Sequence, residues 1–399
     1  MRGSHSGVMA APLTLLTGET AGDLLGAVLA EAGGVVEQWS ATQVDHQPGR
    51  RTTVSYSARV RWPDGTVTGE TFGACSGDLP GGVARLSDGT TEIGMWRFPF
   101  DPALPGLPVA CDPERARRLV LRSGVRADGP VRVRVRAYRP RRRAVVELGL
   151  PGRRRVFVKV VPPARAAGLH RRHRLAEGAA VPESLGWTDD GLVLLAGLPG
   201  RTLREELLAG GDGPVPLDPD SVTAALDGLP PALAAGPRRR TWGQKAGHYA
   251  GVLADAVPGL AGRVHAIARA VDHGEPEGPG VPVHGDFYES QLMVRDGLVT
   301  GLLDLDTAGR GERLDDEACL LAHLAVLAQT RPALRPRVDD LRDRVHRHLT
   351  RSTDPAALAR RTAAVVLSLA TGPHRVQEPG WPARTEQRVA LAEQWLDRA

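Results

Sequence analysis

The chain has 399 residues, 42% hydrophobic and 24% charged, with a formal net charge of +5; this excludes a disordered chain and implies two to three domains at about 150 residues each. No apolar run approaches the roughly 18 residues of a membrane span. Three cysteines (Cys75, Cys111, Cys319), far apart and outside any Cys-x-x-Cys spacing, argue against a disulfide scaffold and for a reducing, cytoplasmic compartment. Of the 51 basic residues only Lys159 and Lys245 are lysines, and there is no asparagine; with 47 Gly and 32 Pro this reads as G+C-rich coding, not selection for a polyanion. Aromatics, at 4%, are not interleaved with the basic runs as nucleic-acid stacking platforms are, so no nucleic-acid partner is expected, and an arginine-rich polynucleotide binder is kept only as a rival.

Met1 to Ser6 reads like expression-vector residue, and residues 1–8 are set aside; Val8 to Leu16, interrupted by Pro12 and Thr14, is a poor signal peptide. Thr20 is the expected N-cap of a helix with the stripe Leu24, Leu25, Val28 and Leu29, stopped by Gly33-Gly34. Thr53 to Trp62 alternates Val54, Tyr56, Ala58 and Val60 with polar residues, turns at Pro63-Asp64-Gly65 and returns through Phe72 as a hairpin. Asp112-Pro113-Glu114 opens a helix that ends near Gly124. Three strands follow (Val131 to Ala137, Arg143 to Leu148, Arg154 to Val161), then a basic helix from Ala164 to Glu177 and a strand pair around Leu185 and Leu192 to Leu195. Beyond Gly197-Leu198-Pro199-Gly200 the pattern is helical (Trp242 to Val271, Asp316 to Gln329, Val338 to Leu349, Pro355 to Leu369, Ala383 to Leu396). It is interrupted by a loop and tight hairpin over Val281 to Leu305. Three parts are expected: an α/β extension of unknown role (1–125), a small β lobe with a nucleotide-binding strand (126–198) and a large helical lobe (199–399).

The chemistry concentrates in Val283-His284-Gly285-Asp286-Phe287-Tyr288-Glu289-Ser290-Gln291 and Gly301-Leu302-Leu303-Asp304-Leu305-Asp306. Phosphoryl transfer needs a carboxylate facing the acceptor hydroxyl and oxygen ligands that hold Mg²⁺ against the nucleotide phosphates. Asp286, Gln291 and Asp304 supply that set, and Asp316-Glu317-Ala318 opens an apolar helix just beyond. The block resembles the aminoglycoside phosphotransferase family, the small-molecule branch of the protein-kinase-like fold that also holds choline kinases and maltokinases. The family's loop reads His-Gly-Asp, four residues, then Asn; Gln291 stands at the Asn position, a departure that some sugar-kinase-like members share. The resemblance covers Val131 to Ala399 and implies an α+β, two-lobed kinase-like fold. It also implies Asp286 as catalytic base, Gln291 and Asp304 as Mg²⁺ ligands, His284 as a loop-holding residue and Asp316 as a structural aspartate. Leu198-Pro199-Gly200 resembles the hinge that meets the adenine.

Lys159, in the apolar strand Val156-Phe157-Val158-Lys159-Val160, stands where kinases pair the α/β-phosphates. Its expected partner is Glu177, the only acidic residue of the next helix. The first turn of the lobe has no Gly-x-Gly-x-x-Gly loop; Arg141, Arg142 and Arg143 there are either phosphate-holding forks or a solvated basic turn. Asp306 touches metal or substrate, or orders its loop. Glu378 and Trp381 contact the acceptor or pack their own loop. An acidic lining built from Glu289, Glu312, Asp315 and Glu317 would favour a cationic amino sugar. His170 and His173 are read as surface residues, and Cys319 with His323 as core.

The expected activity is transfer from MgATP, or GTP, to a hydroxyl of a small polar molecule: a sugar, amino sugar or aminoglycoside first, choline or a nucleoside as alternatives. The rival from another class is a nucleotide-binding module without turnover, in which Gln291 marks a decayed metal site.

Overall fold

The computed structural model describes residues 12–47, 49–87, 91–210, 213–272, 274 and 278–399; the leader set aside at 1–8 lies outside them. Helices α1 (Pro12–Thr17) and α2 (Thr20–Ala30) lead into five antiparallel strands, β1 (Val35–Gln47), β2 (Arg51–Arg61), β3 (Val67–Ser76), β4 (Ala84–Ser87) and β5 (Glu92–Arg97), ordered β1-β2-β3-β5-β4. Val54, Tyr56, Ala58 and Val60 are all buried, as their alternation predicts, in a core shared with Leu16, Leu25 and Leu29. Thr20 does not cap α2. Glu19 holds the cap position in helical conformation, because α1 runs up to Gly18 and leaves no extended residue between the two helices. Strand β1 carries no clear period in sequence: bulges between Val36 and Gln38 and between Ala41 and Gln43 shift its register, and only Val44 is buried.

The second sheet is ordered β6-β7-β8-β10-β9, with β6 (Arg132–Arg139), β7 (Arg143–Gly149), β8 (Arg155–Val160), β9 (Ser184–Trp187) and β10 (Leu192–Ala196). On one face lie α3 (Leu107–Cys111) and α4 (Pro113–Arg122), the latter capped as expected by the Asp112 side chain accepting from Arg115 N at 2.8 Å. Leu104, Leu107, Leu119 and Val120 share one core with Val146, Val156, Val158 and Val160. The boundary expected at 125 therefore falls inside packed structure, and residues from Leu104 onward go with the second sheet. Side chains on a strand alternate faces. With Val156, Val158 and Val160 in that core, Phe157 and Lys159 face the other side, where α5 (Pro163–Leu175) packs through Ala166 and Leu169.

The large lobe holds β11 (Arg201–Thr202), α6 (Leu203–Leu208), α7 (Pro219–Asp227), α8 (Trp242–Ala256), α9 (Ala261–Val271), β12 (Val281–Val283), β13 (Leu292–Arg295), β14 (Leu298–Leu302) and β15 (Gly309–Gly311). It is completed by α10 (Arg313–Thr330), α11 (Arg335–Leu349), α12 (Pro355–Ala370), α13 (Gly372–Arg375) and α14 (Trp381–Leu396). The single helix expected over Trp242 to Val271 is two, parted at Pro258, which cannot continue the hydrogen-bond ladder. Asp296 and Gly297, with φ of 52° and 79°, make the predicted tight turn between β13 and β14. The first sheet reaches both lobes: Gln43 Nε2 donates to Tyr138 O at 2.9 Å, Trp96 Nε1 to Tyr138 Oη at 2.9 Å, and His46 Nε2 meets Asp255 on α8 at 3.3 Å. No helix among the described residues is long and apolar enough to cross a membrane.

Candidate active site

Two backbone devices position the loop after β12. The strand pairs antiparallel with β15, fixing both ends of the segment that contains the loop and the β13–β14 hairpin. Asp316, fully buried in the first turn of α10, then accepts from His284 N at 2.7 Å and from Gly285 N at 2.6 Å. Burial pushes its carboxyl up to about 7, against the pull of those two donors. Gly285 has φ of 78°, and a Cβ there would lie 2.3 Å from Arg239 Nη1 and 2.7 Å from Thr307 O, so only glycine fits. Asp316→Ala orphans two buried N–H groups at about 1–3 kcal/mol each. A loss of about 2–6 kcal/mol in denaturant unfolding is expected, and a loss under about 1 kcal/mol contradicts this anchoring.

His284 is completely buried, and burial lowers its pKa. Its Nε2 meets Leu303 O at 2.7 Å, and its Nδ1 accepts from Asp286 N at 3.3 Å, so the neutral ring joins the loop to the end of β14. The Asp286 carboxylate accepts no hydrogen bond among the described residues. Burial, then the charge of Asp304, pushes it up to about 6, while Arg143, Arg139 and Arg239 oppose the shift.

Leu303 N donates to Gln291 O at 2.8 Å, which sets Gln291 beside the Leu303-Asp304 step. The Gln291 amide nitrogen donates to Tyr288 Oη at 3.1 Å, and its amide oxygen is engaged by no hydrogen bond among the described residues. Asp304 adopts the left-handed conformation, φ 60° and ψ 63°, uncommon for a residue with a side chain. Its Oδ1 lies 2.7 Å from Lys159 Nζ and its Oδ2 3.3 Å from Arg143 Nη1. Burial alone would raise its pKa, but Lys159 and Arg143 hold it well below the usual carboxylate range. Asp306 completes the group: it bonds Lys159, meets Arg143 at 3.0 Å, and its backbone carbonyl accepts from Arg172 at 2.9 Å. An unpaired amide oxygen next to a carboxylate is a hard donor set that fits Mg²⁺.

Glu177 is not brought to this group. It lies beyond the end of α5, mostly exposed, with Arg174 at 3.4 Å, and Lys159 takes both of its carboxylate partners from Asp304 and Asp306 instead. Glu177→Gln is expected to leave turnover unchanged and stability within about 0.5 kcal/mol; a tenfold loss of activity would contradict this placement. Arg142 turns to the first sheet, where it meets Asp45 at 3.3 Å. Glu378 faces Arg384 at 3.0 Å and Arg388 at 3.9 Å, while Trp381 stacks edge-on against His374, so both are engaged within their own corner of the helical lobe. Arg375, at the end of α13, lines a small hollow together with Arg139 and Arg142. His173 is buried, not on the surface, and bonds Pro182 O at 2.8 Å. Cys319 is fully buried, whereas His323 is only partly so and stacks on Tyr288 at 4.0 Å; the Cys319 thiol and a His323 ring nitrogen both lie within 4.8 Å of the Asp286 carboxylate.

A cleft of about 480 Å³ opens in front of these groups, lined by Arg139, Arg142, Arg143, Arg165, Arg172 and Asp286 among others. Sequence reasoning missed Arg139, Arg172 and Arg375, because arginine is so abundant here that no single one stands out. Arg172 is distinguished by its bond to the Asp306 carbonyl, Arg139 by its place in the cleft beside Asp286, and Arg375 by the hollow it shares with Arg139.

This arrangement of a β lobe with a buried lysine, a His-Gly-Asp loop and an aspartate-bearing hairpin defines a kinase-like phosphotransferase. The sequence profile of the phosphotransferase enzyme family matches residues 139–352, more than half of the chain, and the chain belongs to that family as a small-molecule kinase of mixed α+β architecture. Its structure is similar to that of the macrolide 2'-phosphotransferase MphH from Brachybacterium faecium, with 20% identity, TM-score 0.41, and coverage of 70% of this chain and 97% of that one. It is also similar to a gentamicin-bound APH(2")-IIa (11% identity, TM-score 0.48, 71% and 98% covered). A third similar structure is a thermostable mutant of the aminoglycoside phosphotransferase APH(4)-Ia (16% identity, TM-score 0.45, 69% and 96% covered). No curated protein matches the chain.

Proposed function

We propose that the chain transfers the γ-phosphoryl group of ATP, or GTP, to a hydroxyl of a small sugar-like molecule. The observation that carries this reading is the Lys159–Asp304–Asp306 group together with an Asp286 carboxylate that accepts no hydrogen bond among the described residues. Asp286 orients the acceptor hydroxyl and takes its proton. Lys159 and Arg143, now paired with Asp304 and Asp306, are the cations that meet nucleotide phosphates. Gln291 and Asp304 are the residues that would hold Mg²⁺, which when bound supplies charge neutralisation at the phosphates. Backbone groups at Leu198-Pro199-Gly200, between β10 and β11, are the proposed contact for the adenine.

The test is release of nucleoside diphosphate with Mg²⁺ and ATP or GTP across neutral sugars, sugar acids, amino sugars, aminoglycosides, choline and a nucleoside. Release that depends on one acceptor class supports the reading; release independent of any acceptor contradicts it. The pH profile is a second check. A protonated Asp286 cannot take a proton, so kcat/KM should rise about tenfold per unit up to pH about 6 and level off above it. A profile flat from pH 4.5 to 7 would remove Asp286 from the role.

A further inference from the structure

The acidic residues that would recognise a cationic amino sugar are all engaged elsewhere. Glu289 is fully buried against Arg204 at 2.7 Å, and Glu312 is held by Arg238 at 3.2 Å and Arg361 at 2.8 Å. Asp315 pairs with Arg361 and accepts from Trp242 N at 3.2 Å, while Glu317 accepts from the Thr353 hydroxyl at 3.0 Å. The cleft in front of Asp286 is instead lined by guanidinium groups, and an adjoining hollow that shares Arg139 and Arg142 adds Arg375.

These cations form two sets. Arg143 and Lys159 bind Asp304 and Asp306, and Arg172 binds the Asp306 carbonyl, which makes them the nucleotide side. The Arg139 and Arg375 side chains make no hydrogen bond or ion pair among the described residues, and the Arg375 Nε is buried without a partner. The charges that act most strongly on Arg375 are those of Arg142, Tyr288, Asp45 and Tyr249. Burial, and then repulsion between the two, lowers Arg139 to about 10; burial lowers Arg375 as well. A desolvated guanidinium without a counter-ion is costly, and its planar fork matches carboxylate and phosphate.

We infer that the acceptor is a small hydroxylated anion, a polyol bearing a carboxylate or phosphate, whose charged group is held by Arg139 and Arg375 while its hydroxyl faces Asp286. This rests on the kinase reading above and narrows its acceptor away from aminoglycosides. In the transfer, the acceptor oxygen bonds to the γ-phosphorus of the nucleoside triphosphate and the bond from that phosphorus to the β–γ bridging oxygen breaks. Nucleoside diphosphate leaves, and the hydroxyl proton passes to Asp286 and then to solvent.

The experiment compares congeners that share one carbon skeleton: glucose, glucosamine, glucuronate, gluconate and glucose 6-phosphate. At least one anion should show kcat/KM about tenfold or more above glucose and glucosamine, and the carboxylate and phosphate arms identify which anion it is. Arg139→Gln and Arg375→Gln should each raise KM for that anion about 10- to 100-fold, the value of a charge-assisted contact, with KM for ATP unchanged. Arg139→Lys and Arg375→Lys, which keep the charge, should lose less and carry the test if the Gln variants fold poorly. Preference for glucose or glucosamine, no turnover of any anion, or a rise in KM for ATP in place of the acceptor would each overturn the inference. The kinase reading fails separately, if the wild-type chain neither binds ATP nor releases ADP with any acceptor, or if release does not depend on an acceptor.

Discussion

Asp286→Asn is expected to lower acceptor-dependent turnover on the order of 10²–10⁴-fold while ATP still binds. The side chain keeps its shape, and the loop around it is held by His284 and Asp316, neither of which depends on the Asp286 carboxylate. On the proposed mechanism, what the substitution removes is the proton acceptor. In the wild-type chain that carboxylate sits at about 6, near working pH, because burial and Asp304 raise it while three arginines restrain it. A pure nucleotide-binding module makes the opposite prediction, since an uncharged amide at this position would ease repulsion with the phosphates and leave binding intact or tighter. Full turnover in the variant would therefore count against the mechanism as well as the residue.

Lys159→Met should have the second-largest effect. Lys159 is 6% exposed and is bonded by two carboxylates, so its removal leaves Arg143 as the one cation paired with both Asp304 and Asp306 among the described residues. Breaking a buried ion pair from one side costs about 3–5 kcal/mol, because the charge left behind is uncompensated. Loss of a preorganised cation at the phosphates costs on the order of 10²–10³ in kcat. Lowered turnover should thus accompany a lower unfolding midpoint in urea, and Lys159→Arg should recover stability better than rate, since the planar fork cannot occupy the same point. A Met variant with wild-type kcat would show that phosphate charge is met elsewhere.

The period-two strands and capped helices were legible because each carries its own signal. Val156, Val158 and Val160 alternate with Phe157 and Lys159, and Asp112 and Pro113 sit at the start of α4. The His-Gly-Asp loop and the Asp304 hairpin were legible because residue type and spacing both follow from the chemistry. Other features depend on long-range placement. The partner of Lys159 was expected on the next helix, yet Asp304 and Asp306, some 145 residues on, take that role. Strand β1 was hidden by its bulges, and the grouping of α3 and α4 with the second sheet shows only in the core they share with Val158. The hollow that holds Arg139 and Arg375 joins a strand end, a helix end and the first sheet, and no local pattern encodes it.

The most direct test of the account follows the phosphoryl group itself. ATP labelled with ¹⁸O on its γ-phosphate is incubated with the chain and the acceptor that gives the highest turnover, and the products are read by mass spectrometry. The account predicts three labelled oxygens in a new phosphate ester on the acceptor, with the fourth oxygen supplied by the acceptor hydroxyl, and loss of that product in Asp286→Asn. Label found only in inorganic phosphate, or an ester that forms equally well in the variant, would contradict it.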